Sequence, residues 1–192
     1  MARPVLGSAR CWAASFLLGL SSLGGQSSWA QSQASQCSPS GLANLPPSRQ
    51  QQVREYQHRV EAGPFYKKML RQLGKPNSCD AKLDGENIAL SYVFRDDAHL
   101  DARVNSSIEY SEQRAEFRGL SREKALVLLK KGALDLFGRE GCGIDWNLPQ
   151  DQSTVDTPGS RATVFRGDSC NCQARIVYHG DSVVALVLSS AC

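Results

Sequence analysis

Alternation of apolar and polar positions predicts β-strands in the middle of the chain. Apolar residues occupy every second position from Ile88 to Phe94, and a longer alternating run extends from Leu100 to Tyr110. A side-chain period of two is the signature of a strand with one buried face. The parity of the pattern shifts after Tyr110, which predicts a turn or a bulge near residues 111–112.

The C-terminal part of the chain predicts a β-hairpin. The stretch from Cys172 to Tyr178 alternates, and the stretch from Val183 to Leu188 is apolar on both faces, as in a strand inside a sheet. Between them, His179-Gly180-Asp181 forms a turn signal, because glycine adopts positive φ without steric cost. A shorter strand is expected near Arg161 to Phe165.

Three further stretches carry helix signals. Ser48 can cap a helix that runs to about Glu61, and a second helix starts at Pro64 and ends before Gly74. A third, more apolar helix is capped by Ser121 and ends at Gly138. Its predicted buried stripe comprises Leu126, Leu129, Ala133 and Phe137. We therefore predict an α+β fold, with an antiparallel sheet, one helix packed across it and two N-terminal helices.

The first thirty residues have the pattern of a secretory signal peptide. Arg3 and Arg10 provide a positive start, an apolar run extends from Cys11 to Leu23, and Ser28 and Ala30 are small residues at the cleavage positions. The apolar run is shorter than the about 20 residues that a membrane span needs. We expect cleavage near Ala30, a periplasmic or secreted location and no stable insertion in a membrane.

Cleavage would divide the chain into a signal peptide (1–30), a flexible N-terminal segment (31–47) and a single α+β domain (48–192). It would also change the charge. The full chain has a formal charge of +3, but without the two leader arginines it has 20 basic and 19 acidic residues. A balance so close to neutral does not favour nucleic acid as a partner.

Six of the seven cysteines lie outside the leader, an even number that is typical of disulfides in an exported protein. They are Cys37, Cys79, Cys142, Cys170, Cys172 and Cys192. Six cysteines allow 15 pairings, among which the sequence alone does not choose. A hairpin that turns at Gly180 places Cys170 near Cys192, so we expect that bond and favour Cys142–Cys172 and Cys37–Cys79 for the others.

Signals for catalysis or metal binding are weak. Cys142 lies between two glycines, and it could act with His179 only if the fold brings the two together. The common serine-hydrolase, zinc-protease and phosphate-loop motifs do not occur in the sequence. Cys170-x-Cys172 has neither the usual spacing of a zinc site nor a second pair. We predict no metal and no cofactor, and we favour a protein that is not an enzyme.

Two groups of residues are candidates for contact with a partner. The long segment 138–161 contains Asp145 and Trp146, the one tryptophan outside the leader, and tryptophan is frequent at interfaces. Trp146 fits a position in the core at least as well as a position at an interface. The other group lies on the second helix, where it forms either a basic contact surface or a plain solvated face. It comprises Lys67, Lys68 and Arg71.

These patterns together predict an exported, non-catalytic binding protein of the periplasm or the cell exterior, with another protein as its partner. An inhibitor or an immunity-type protein directed against a secreted enzyme would fit this class. Two alternatives stay open. One is a small secreted hydrolase or thiol enzyme that uses Cys142 and His179, and the other is a structural factor of the cell envelope.

Overall fold

A computed structural model describes residues 37–105, 110–138, 141–153 and 159–192. In these residues, eight antiparallel strands form one sheet, and three α-helices accompany it, so the predicted α+β class is confirmed. The helices are α1 (Pro47–Ala62), α2 (Pro64–Leu73) and α3 (Arg122–Phe137). The strands are β1 (Ser78–Asp84), β2 (Asn87–Val93), β3 (His99–Asn105), β4 (Tyr110–Leu120), β5 (Gln150–Ser153), β6 (Ser160–Arg166), β7 (Gln173–His179) and β8 (Ser182–Ala191).

The predicted C-terminal hairpin lies in the middle of the sheet. The strand order is β1-β2-β3-β4-β8-β7-β6-β5, so β8 pairs with β4 on one side and with β7 on the other. His179 pairs with Ser182 across the turn. Leu186 and Leu188 of β8 belong to the main core, whereas Ala185 and Val187 belong to a second apolar cluster formed by strands alone. This division explains why β8 is apolar at consecutive positions.

The three helices cover one face of the sheet and share the main core with it. In α3, Ser121 caps the N-terminus by accepting a hydrogen bond from the Lys124 N–H. The buried residues of α3 are Ala125, Leu128, Leu129, Gly132 and Ala133. The predicted stripe is thus correct at Leu129 and Ala133, but Leu126 and Phe137 are only partly buried. The helix is rotated because Gly132, which has no side chain, packs against the sheet.

Three strand predictions need correction. The edge strands β1 and β5 were not expected, because most of their residues are polar or exposed and the alternation is weak. The run from Leu100 to Tyr110 is not one strand, since Asn105 of β3 pairs with Tyr110 of β4. The chain therefore reverses before Tyr110 and not near residues 111–112. Sequence alternation happens to continue across the reversal, so the period alone did not reveal it; residues 106–109 lie outside the described ranges.

The segment before α1 is attached to the edge strand β1. The Ser40 N–H donates to the Cys79 carbonyl over 3.1 Å, and Cys37 forms a disulfide with Cys79. Gln57 Nε2 of α1 donates to the Cys37 carbonyl over 2.8 Å. Cys37 and Ser40 thus attach the predicted N-terminal segment to the edge of the sheet. The predicted signal peptide and residues 31–36 lie outside the described part of the chain.

Three disulfides join Cys37 to Cys79, Cys142 to Cys172, and Cys170 to Cys192, the pairs favoured from the sequence. They indicate an oxidising, extracytoplasmic environment, because cytosolic thiols are normally kept reduced. The second bond attaches the segment after α3 to the start of β7. The third closes the C-terminal hairpin, where the Ala191 N–H also donates to the Cys170 carbonyl over 2.8 Å.

Candidate functional site

Helices α2 and α3 border an open groove of about 470 Å³. Gly63, immediately before α2, lies against the Asp135 carboxylate near the end of α3. Arg71, late in α2, lines the same groove as Glu123 at the start of α3. The two helices therefore run in roughly opposite directions, and the groove follows the seam between them.

The groove has an apolar floor and basic walls. Leu120 and Leu128 are buried at its base, and Pro64 and Val127 lie beside them. Five cationic side chains surround this floor. They are Lys67, Lys68 and Arg71 of α2, with Lys124 and Lys131 of α3. Glu123 is the one acidic residue among the described residues that line the groove.

Exposed apolar side chains lie both in the groove and further along the outside of α3. In the described part of the chain, Val127 (54% exposed), Leu134 (53%) and Leu148 (68%) are the exposed large hydrophobic residues. Val127 and Leu134 are seven positions apart, so they lie on the same side of α3, with Lys131 between them. A contiguous exposed apolar area with a polar rim is typical of an interaction site. We call the groove together with Val127 and Leu134 the α2–α3 face.

None of the cations of the α2–α3 face forms a direct ion pair with an acid in the described residues. The two ion pairs found there, Arg114–Glu116 and Arg161–Asp181, involve other surfaces. At the end of the groove, partial burial raises the pKa of the Asp135 carboxyl, and the charge of Lys67 offsets only part of this rise. The face is therefore locally positive, although the chain without the predicted signal peptide would be close to neutral.

Trp146 and Asp145, the other predicted contact residues, do not line this groove. Trp146 is half-buried, with its ring 5.2 Å from that of Phe165 and the Lys130 ammonium 5.5 Å from its centroid. Asp145 is exposed, and its N–H donates to the Arg166 carbonyl over 3.1 Å. Both residues thus attach the segment after α3 to β6, and Trp146 is neither a full core residue nor a free aromatic anchor.

The structure does not assemble the Cys142–His179 pair of the enzyme alternative. Cys142 is bonded to Cys172, which precedes β7, whereas His179 ends β7. A strand rises about 3.3 Å per residue, so Cys172 and His179, which lie just before β7 and at its end, are separated by roughly 23 Å. Because its sulfur is in a disulfide, Cys142 also has no thiolate to offer as a nucleophile.

Two other properties bear on the possible ligands. Across residues 37–105, 110–138, 141–153 and 159–192, no group of three or more His, Cys, Asp or Glu side chains could hold a metal ion. No helix in the same ranges has the length and apolar character needed to cross a membrane.

Comparison with known proteins provides no relative from which to transfer a function. No family model, no curated protein and no solved structure matches the chain. The function must therefore be inferred from the α2–α3 face and the disulfide-linked scaffold that carries it.

Part of the α2–α3 face was not predicted from the sequence. The contact residues predicted from the sequence did not include Lys124, Val127, Lys131 or Leu134 of α3. One signal was available, because α3 carries apolar residues around most of its circumference although only one side of a surface helix faces the core. Such an excess of apolar positions indicates that some of them point outward.

Proposed function

We propose that this chain is an exported, non-catalytic binding protein whose α2–α3 face contacts another protein. One observation carries the proposal: five cationic side chains surround an apolar floor and the exposed Val127, with one acid among the lining residues. Burial of the apolar area would supply affinity, and the cations would select an acidic partner. The signal-peptide pattern and the three disulfides support a periplasmic or secreted location.

The chemistry of the groove favours binding over catalysis. The lysines and the arginine of the lining attract anions, and the lining has no cysteine, serine or histidine beside them that would form a nucleophile–base pair. All six cysteines outside the leader form disulfides. A scaffold held by three disulfides is well suited to association, because a preorganised protein loses little conformational entropy on binding. An inhibitor or immunity-type protein is the form of this function that we favour.

Capture of a partner by the mature chain tests the proposal. The cleaved form would be immobilised and exposed to an extract of the exported proteins of the native source. A groove variant carries Lys67→Glu, Lys68→Glu and Arg71→Glu. A matched control carries the same charge change at exposed cations elsewhere. These are Arg54→Glu, Lys75→Glu and Lys82→Glu.

We expect a protein that is retained by the wild type and the control variant but not by the groove variant. Far-ultraviolet circular dichroism and a thiol count would establish that all three forms are folded and oxidised. If every retained protein binds the groove variant as well as the wild type, the α2–α3 face is not the contact surface and the proposal fails. Retention of envelope material instead would favour the structural factor.

A further inference from the structure

We infer that the α2–α3 groove receives an acidic, amphipathic α-helix of the partner protein. This inference rests on the proposed function and adds to it the chemistry and the shape of the partner segment. Its basis is the combination of a concave seam, an apolar floor and cations on both walls.

The shape of the groove fits an elongated ligand such as a helix better than a flat surface. It lies between two helices that run in opposite directions, with Leu120 and Leu128 at its base. A third helix can lie in such a seam with its axis about 8–10 Å from each neighbour. The part of α3 that lines the groove, from Glu123 to Lys131, is about 12 Å long, which corresponds to roughly two helical turns. A flat bilayer surface would contact the lysines at the rim but not the apolar base.

The cations on the two walls of the groove lie where they could contact the two flanks of a bound helix. Lys67 and Arg71 are four positions apart on one wall, and Lys124 and Lys131 are seven positions apart on the other. Both spacings match the helical repeat, so acids at similar spacings on both sides of an apolar stripe would face them. Single exposed ion pairs contribute only about 0–1 kcal/mol, so the charges would mainly accelerate and orient the encounter.

The chain itself offers no acidic helix for this groove. In the described residues, α2 has no acid, and both α1 and α3 have more basic than acidic residues. Residues 1–36 contain neither aspartate nor glutamate. Electrostatic complementarity therefore disfavours a second copy or the N-terminal segment as the occupant, and it indicates a different protein.

Synthetic peptides test the inference without the native partner. The probe is a fluorescein-labelled peptide of about 14 residues, with leucines at i, i+3, i+4 and i+7 and glutamates on both flanks. One control has the same composition in scrambled order, and another has lysine in place of glutamate. Fluorescence anisotropy would measure the binding of each peptide to the mature, oxidised protein. We expect the amphipathic acidic peptide to bind at least about tenfold more tightly than either control.

Variants then locate the binding site. The Lys67→Glu, Lys68→Glu, Arg71→Glu variant should lose at least about tenfold in affinity, whereas the Arg54→Glu, Lys75→Glu, Lys82→Glu control should bind normally. Val127→Ser should weaken binding by about fivefold through lost apolar contact. The affinity should also fall as salt rises from about 50 to 300 mM.

Three outcomes would overturn the inference. The first is equal binding of the scrambled peptide, which would show that charge alone is recognised. The second is absence of peptide binding together with retention on vesicles of equal parts phosphatidylcholine and phosphatidylglycerol. The third separates the inference from the proposed function. If the peptides fail but an exported protein is still captured through Lys67, Lys68 and Arg71, the helix inference is wrong and the proposed function stands.

Discussion

Gly132 of α3 lies directly against Leu188 of β8. A β-carbon at position 132 would be 2.8 Å from Leu188 Cδ1, and 3.0 Å from Cε1 of Phe65 in α2. Leu188 and Phe65 are both buried, so neither can move away easily. Together with the buried Ala125, Leu129 and Ala133, Gly132 marks the side of α3 that faces the core. Val127 and Leu134 lie on another side of the helix and point outward, onto the α2–α3 face.

Replacement of Gly132 by alanine should destabilise the protein, although alanine is normally favoured over glycine in a helix by about 1 kcal/mol. Overpacking of a tight core costs about 1–3 kcal/mol, which is larger than this gain. Urea unfolding followed by circular dichroism would measure the change. Leu134→Ala at an exposed position of the same helix is the control, with an effect of about 0.5 kcal/mol or less. Unchanged or increased stability of Gly132→Ala would contradict the close contact.

The Cys170–Cys192 disulfide should stabilise the C-terminal hairpin. It links positions 22 apart in the sequence, for which the chain-entropy model predicts a contribution of about 3 kcal/mol. The Cys170→Ser, Cys192→Ser double variant should lose about this amount of unfolding free energy in urea. Mass spectrometry of unreduced protein should find all six cysteines linked in the three pairs described above. Free thiols at these positions would refute both expectations.

A buried tyrosine cluster should make the protein sensitive to alkali. Burial raises the pKa of Tyr56, Tyr66 and Tyr92, and the nearby Glu61 carboxylate raises it further for Tyr66 and Tyr92. Tyr92 Oη also donates a hydrogen bond to Glu61 Oε1 over 3.3 Å. Because an unfolded tyrosine titrates at about pH 10, the folded state retains these protons at higher pH than the unfolded state. Stability should therefore be unaffected by these groups at neutral pH and fall above about pH 10.

Absorbance at 295 nm, which reports phenolate, would be recorded together with circular dichroism as the pH is raised. The phenolate signal of these three tyrosines should appear only when the native circular dichroism is lost. Protein unfolded in guanidinium provides the reference, in which all tyrosines should titrate at about pH 10. Full titration near that pH with native circular dichroism retained would show that the cluster is not buried in solution.

Truncation of Trp146 should weaken the attachment of the segment after α3. Its ring packs on Phe165 and lies under Lys130, but it is only half-buried. We expect Trp146→Ala to lower the unfolding free energy by about 2 kcal/mol, less than for a fully buried tryptophan. Leu148→Ala, two positions away and strongly exposed, should change it by less than about 0.5 kcal/mol. Equal effects of the two variants in urea unfolding would argue against this packing.

Local signals in the sequence predicted the elements whose determinants are near one another in the chain. Ser121 and Gly138 bounded α3, and the turn at Gly180 located the last hairpin. That hairpin then brought Cys170 close to Cys192, because the register of an antiparallel pair follows from its turn. The edge strands β1 and β5 were missed, since a strand at the edge of a sheet does not need a strong apolar pattern. Their presence depends on pairing with β2 and β6.

Some residues of the candidate site could likewise be predicted from local sequence, whereas the position of others depended on tertiary structure. The sequence by itself determined that α2 carries Lys67, Lys68 and Arg71 on its surface, because helical periodicity separates them from the apolar side. Only the tertiary structure decided that Lys124 and Lys131 stand on the opposite wall. Helical periodicity is local, but the rotation of α3 and its position beside α2 depend on contacts between residues far apart in the chain, above all that of Gly132 with Leu188 and Phe65.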